Sequence, residues 1–215
     1  MSILLSILSP GLRKRLRFLK PVVRLLQQGK NFVRFHLIKR RLRAAPRRIV
    51  IGCGQWKQSG WVSTDVPLLD LLLPQTWERL VPPDSVDALL AEHVWEHLSL
   101  DEAQTAASVC RRFLRPGGFL RVAVPDGLHP DPAFRDYVRP GGTTEMGHQV
   151  LYDYKLLQEV FASADFPPEK MRLREYHDEE GREHFEDWAF EDGMVHRSRR
   201  YDERGLISII LDVYK

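Results

Sequence analysis

From residue 48 onward, short apolar runs alternate with amphipathic helical patterns, and each run stops at a glycine or an acid. Ile49-Val50-Ile51 ends at Gly52-Cys53-Gly54, Trp61 to Thr64 at Asp65, Val86 to Ala91 at Glu92-His93, and Phe119 to Val124 at Pro125-Asp126. Runs that are apolar throughout belong to strands buried on both faces, and with helices between them they predict a mostly parallel α/β sheet. One helix has legible ends. Ser99 and Glu102 make a capping box, Ala103, Ala107, Cys110 and Leu114 form the buried stripe, and Pro116-Gly117-Gly118 stops it. Another follows Asp153, with Leu156, Leu157, Val160, Phe161 and Ala164 on one side. Met171 to Tyr176 and Leu206 to Tyr214 read as the last two strands. Between them His184 to Arg204, polar and aromatic, is too long for a tight hairpin and reads as a functional insertion.

The charge is split along the chain. Residues 1–64 carry 15 Lys/Arg and no acid, and residues 65–215 carry 17 Lys/Arg against 29 Asp/Glu, so a region of +15 precedes one of −12 within a net charge of +3. Residues 1–45 are therefore expected to form a basic amphipathic helical arm, and residues 46–215 a single α/β domain. Leu12, Leu16, Leu19, Val23 and Leu26 recur at helical steps with Arg13, Arg17, Lys20 and Arg24 one residue later; Pro21 should kink this helix. A second such pattern, from Phe32 to Leu42, follows Gly29-Lys30. Met1 to Leu12 is too short and has the wrong flanks for a transmembrane helix or a signal peptide. Three readings of the arm stay open: helices packed on the sheet with a solvated positive face, attachment to an anionic membrane surface, and RNA binding. The aliphatic and aromatic face beside the cationic stripe favours membrane over RNA. Cys53 and Cys110 have no paired or metal-type spacing, which fits a reducing compartment. A cytoplasmic protein, peripheral on the inner membrane through its arm, is expected.

Ligands of open α/β sheets bind outside the carboxyl ends of the strands. That makes Gly52, Gly54, Asp65, Glu92, His93 and Asp126 the first candidates. Glycines after the first strand let a ligand approach the backbone, and an acid ending the second can accept from both hydroxyls of a ribose, so the pair suggests an adenosine-containing ligand. A dinucleotide is disfavoured: its fingerprint wants glycine or alanine where Lys57 stands, and its acid roughly 20 residues on, whereas Asp65 follows Gly54 by 11.

Four blocks in order make the resemblance specific: Arg48-Ile-Val-Ile-Gly-Cys-Gly54, Gly60-Trp-Val-Ser-Thr-Asp65, Pro83-Asp-Ser-Val-Asp-Ala-Leu-Leu-Ala-Glu-His-Val-Trp-Glu-His-Leu98 and Arg112-Phe-Leu-Arg-Pro-Gly-Gly-Phe-Leu-Arg-Val-Ala-Val-Pro-Asp126. The chain resembles class I S-adenosylmethionine-dependent methyltransferases of the methyltransferase type 11-like kind, in the subgroup associated with bacterial surface-polysaccharide genes, which the ending Arg197 to Arg204 also matches. The resemblance implies a Rossmann-like, seven-stranded-type sheet flanked by helices with its last strand antiparallel, and S-adenosyl-L-methionine as cofactor. It implies that Gly52, Cys53 and Gly54 line the methionine part, that Asp65 holds the ribose hydroxyls, and that Glu92 and His93 flank the methionine part or the transferred methyl. Only Gln55 to Gly60 separate Gly54 from Trp61, too few for the usual first helix. No third-strand motif is legible between Asp70 and Pro82.

A sulfonium methyl is already activated, so a methyltransferase must align its acceptor and, for a hydroxyl, remove a proton. His93, His148 and Asp126 are the candidate bases. His97 is expected instead to cap its helix or pair with Glu96. No metal is expected, because no carboxylate or third His stands at helical spacing to complete a set with His93, Glu96 and His97. The reading is O-methylation of a small-molecule or glycan acceptor, most plausibly a sugar hydroxyl of a surface glycan or glycolipid. Its alternatives are an RNA methyltransferase using the arm and a catalytically silent module of the same fold.

Overall fold

The computed structural model describes residues 20–143, 147–202 and 208–215. The helical pattern over Leu12–Leu19, and Leu206 and Ile207 of the last strand, lie outside the described residues. The chain divides into two units, residues 1–40 and 41–215. In the first, helix α1 (Lys20–Arg41) is unbroken through Gly29-Lys30, where the sequence predicts two separate patterns. A single interior glycine costs a helix only about 1 kcal/mol, less than parting the hydrogen-bond ladder around it. Pro21 stands in the first described turn. Leu26, Val33 and Leu37 on this helix are exposed, and no described helix is long and apolar enough to cross a membrane.

The second unit is a seven-stranded sheet. Its strands are β1 (Arg48–Ile51), β2 (Val62–Ser63), β3 (Val86–Glu92), β4 (Leu114–Pro125), β5 (Met171–His177), β6 (Glu183–Phe185) and β7 (Ser208–Tyr214). They are ordered β2-β1-β3-β4-β7-β5-β6. β1 to β4 pair in parallel, and β7 lies antiparallel between β4 and β5. Mostly parallel with antiparallel last strands, this is a Rossmann-like sheet. The hairpin strand β6, antiparallel to β5, was not anticipated and overlaps the start of the segment from His184 to Arg204. β4 also starts earlier than expected. Helix α3 (Leu100–Phe113) passes directly into it at Leu114, and Arg115 to Gly118 bulge out between the pairs Val86↔Leu114 and Ala88↔Phe119. The Pro-Gly-Gly segment therefore kinks a strand instead of parting helix from strand. Where a third strand would fall, Leu73 to Arg79 hold only the five-residue helix α2 (Pro74–Glu78), its Trp77 wholly buried on Phe113.

The two faces of the sheet are covered differently. On one, α3 and α5 (Tyr154–Ala162) pack together; the Ser99–Glu102 capping box forms at 3.3 and 2.9 Å, and Asp153 caps α5 through Leu156 N–H. A short helix, α4 (Pro132–Val138), follows β4. On the other face the crossover from β1 to β2 makes only turns, Trp56 N–H to Cys53 O and Trp61 N–H to Gln58 O. Such a connection is too short for a helix, and Val50, Ala88, Leu90, Ala123 and Ile210 are buried there instead by Trp61, Trp188 and Val195.

Arg121 of β4 holds that cover in place. Its guanidinium is fully buried, bidentate to Asp212 of β7 at 2.7 Å on each arm, and its remaining donors reach the carbonyls of Asp192 (3.1 Å) and Gly193 (2.7 Å) beneath the Trp188 ring. Arg174 reaches the same carboxylate at 2.8 Å. Replacing Asp212 by Ala leaves the buried Arg121 guanidinium without a counter-charge and Arg174 with Glu186 alone. It should destabilise the fold by about 3–5 kcal/mol in urea unfolding, and the double replacement Asp212→Leu/Arg121→Met should recover much of that loss.

Candidate functional site

The turn after β1 is built for close approach. Gly52 and Gly54 have φ +60° and +51°, in the left-handed region that only glycine adopts without strain. A Cβ on Gly52 would stand 2.7 Å from Val94 Cγ2, so the β1 turn and the end of β3 are pressed together there; a Cβ on Gly54 would meet nothing. Thr64 pins the second strand to the first through N–H and Oγ1, both to Val50 O at 2.8 Å, which sets Asp65 beside the turn. The Asp65 carboxylate accepts from Gly54 N–H (3.1 Å) and Val66 N–H (2.8 Å). Each oxygen keeps a further lone pair for a ligand hydroxyl.

Val50, Ile51, Gly52, Cys53, Glu92 and His93 form one wall of a cleft of about 540 Å³ counted with its open mouth. The opposite wall was not anticipated residue by residue. Gln58, Met194, His196 and Arg197 supply it, the last three from the insertion after β6. The length and polarity of that insertion marked it as functional, but which side chains it brings to the cleft depends on how it folds back. Two carboxylates hold it. Glu92 accepts from His196 N–H (3.1 Å), His196 Nδ1 (2.8 Å) and Arg197 N–H (2.9 Å), and Glu175 accepts from Ser198 Oγ (2.6 Å) and Arg199 N–H (2.8 Å). Trp56 also lines the cleft, its ring 4.2 Å from that of His196.

His93 ends β3 in an unusual backbone state, φ +56°, which costs energy for a residue with a Cβ and is commonest at functional sites. Its Nε2 meets Ser208 Oγ at 3.0 Å and its Nδ1 meets the Arg197 guanidinium at 3.0 Å. A guanidinium has only donors, so these partners assign Nδ1 as acceptor and put the ring proton on Nε2. Glu96 Oε1 is 3.1 Å from the same Nδ1, outside hydrogen-bond alignment.

The other two candidate bases do not line the cleft. Asp126 is fully buried and accepts from His177 N–H and Nδ1, both at 2.8 Å, and from Leu128 N–H, tying the end of β4 to that of β5. His148 is buried with Nδ1 on Val138 O (2.7 Å) and its ring edge-on to His97. It joins Glu96 and His97 in a compact group whose potential donor atoms lie within 4.8 Å of one another.

Residues 51–122 match the family model for a methyltransferase domain. Among solved structures, the chain is similar to a SAM-dependent methyltransferase from Archaeoglobus fulgidus (15% identity, 84% of this chain and 94% of that one, TM-score 0.48). It is also similar to a SAM-dependent methyltransferase from Thermotoga maritima (15% identity, 88% and 97%, TM-score 0.49). No curated protein sequence gives a significant match.

Burial works against the charged form of Glu92, but the hydrogen bonds from His196 and Arg197 outweigh it and hold the carboxyl below the usual range. A depressed folded value contributes stability that is complete above the unfolded pKa and is lost as pH falls through the folded one. Glu92→Gln should therefore lower stability at pH 7 by about 1–3 kcal/mol and flatten the acid side of the stability profile between those two values, measured by urea unfolding from pH 7 to 3.

Proposed function

We propose that the S-adenosylmethionine-dependent methyltransferase domain of this chain, with S-adenosylmethionine as its cofactor, methylates a hydroxyl oxygen at the cleft beside the β1 turn. The observation that carries the reading is that Gly52, Glu92 and His93 line one cleft at adjacent strand ends, while Gly54 and Asp65, which do not line it, are hydrogen-bonded to each other in the neighbouring turn. These residues fit the cofactor. The left-handed turn leaves the backbone open at Gly54, a carboxylate with spare lone pairs stands beside it, and the cleft next to them carries the polar groups of Glu92 and His93. When bound, S-adenosylmethionine supplies the activated methyl group.

The work left to the chain is orientation and proton removal. Asp65 accepts from the ribose hydroxyls, while Gly52, Cys53 and Glu92 border the methionine portion. His93 is the proposed base, because it alone of the three candidate bases lines the cleft. To take a proton at Nδ1 it must exchange the Arg197 guanidinium for the acceptor hydroxyl, while Nε2–H stays on Ser208 and keeps the ring oriented. The polar side chains Gln58, His196 and Arg197 at the opposite wall suit a hydroxylated acceptor, and the likeness of residues 48–126 and 197–204 to the surface-polysaccharide subgroup supports a sugar.

Asp65→Ala should remove two charge-assisted hydrogen bonds and weaken cofactor or demethylated-product binding by about 1.5–3 kcal/mol, roughly 10- to 150-fold in calorimetry. Should the folded chain bind neither molecule at millimolar ligand, the enzyme reading fails in favour of a silent module. His93→Gln should lower turnover about 100- to 10,000-fold with cofactor affinity nearly unchanged; parallel losses of both would make it a cofactor-contacting residue instead.

A further inference from the structure

We propose that Glu96, His97 and His148 form a binding site for a divalent transition-metal cation, next to the cleft but built from residues that do not line it. One ligand atom from each residue lies within 4.8 Å of the other two. The donor set is two imidazole nitrogens and a carboxylate oxygen. It suits Zn²⁺, Fe²⁺, Co²⁺ or Ni²⁺ and disfavours both the all-oxygen sites of Ca²⁺ and Mg²⁺ and the sulfur sites of Cu⁺.

Glu96 carries the argument. Its side chain is 1% exposed, and neither carboxylate oxygen accepts a hydrogen bond. A charge so far from water is normally paired or bound to metal. The nearest basic group is His93, but its Nδ1 already accepts from Arg197 and has no proton to give. Among the described residues no Lys or Arg pairs with Glu96.

The two histidines are arranged as ligands. His148 donates Nδ1–H to the Val138 carbonyl at 2.7 Å, which leaves its lone pair on Nε2. A ring nitrogen bonded to a backbone carbonyl is how metal-binding histidines are usually oriented. Glu96 and His97 are neighbours in the 3-10 turn Trp95–His97, and the segment bearing His148 is already clasped to that turn: Gln149 N–H bonds Glu96 O and Gln149 Nε2 bonds His97 O, both at 2.7 Å. Three protein ligands leave coordination positions for water or an exogenous oxygen. The present group is wider than a filled tetrahedral site, whose ligand atoms lie roughly 3.4 Å apart.

The test uses the full chain, freed of metal by a chelator and titrated with Zn²⁺ by calorimetry and with Co²⁺ by visible absorption. One ion per chain is expected, with Co²⁺ bands of a low-symmetry nitrogen and oxygen site. Affinity should fall by at least about 100-fold in His97→Ala and in Glu96→Gln, since loss of a direct ligand should exceed the 10- to 100-fold effect of losing an outer partner. Glu96→Gln keeps the shape and removes the buried charge, so it remains foldable where a histidine deletion might not be. Absence of 1:1 binding by the native chain, or native affinity retained in Glu96→Gln, overturns the proposal. The titration reads metal and not methyl transfer, so its failure leaves the methyltransferase reading standing.

Discussion

The buried guanidinium of Arg121 organises the face of the sheet on which the cleft depends. It satisfies the Asp212 carboxylate from β4 to β7 and, through its third edge, two carbonyls of the insertion, with Trp188 stacked above. A carboxylate and two arginines in such a place are tolerable only because nearly every donor and lone pair has a partner. That requirement ties the central strands to a segment which forms little regular structure of its own. The second wall of the cleft, Met194 to Arg197, is a consequence.

The need for such a cover traces to the β1–β2 connection. A parallel pair is usually bridged by a helix that packs on the sheet, and here the link between Ile51 and Val62 is too short to provide one. The apolar residues left bare, Val50, Ala88 and Leu90 among them, are buried by Trp61 and by Trp188 and Val195 from the far end of the chain. Trp61 Nε1 and Arg48 both donate to Glu191 O, and Gln58 bonds Phe190 O and Met194 N–H. Thus the same shortening that thins the sheet's helical cover brings the insertion over the β1 turn. Glu92 and Glu175 then complete the closure from below.

At the end of β3 a short sequence faces two ways. Glu92 and His93 line the cleft, while Glu96 and His97 group with His148. The chain bends at His93, with its left-handed backbone, and the two groups touch where His93 Nδ1 lies 3.1 Å from Glu96 Oε1. A continued strand would have sent these side chains alternately to the two faces of the sheet.

Much of this was legible in the chain itself. The strand ends announced themselves because a buried strand must stop where its backbone turns toward solvent, and glycines and acids mark those places. Ser99, Glu102 and Asp153 marked helix starts, because a cap is a local interaction between residues three apart. The brevity of Gln55–Gly60 likewise excluded a helix by length alone. What local pattern could not carry was anything decided across the sheet. Arg121 reads as a charged residue inside an apolar run until Asp212, ninety-one residues away, is seen opposite it. Asp126 looks like a site residue at a strand end, and only the fold shows it bonded to His177. His148 and Glu96, remote in sequence, meet because Gln149 clasps the turn at Trp95–His97. Periodicity and capping act over three or four residues, and so sequence determined the elements and their ends; burial and charge pairing act between elements, and so tertiary structure alone decided which polar groups face the cleft and which are sealed within the core.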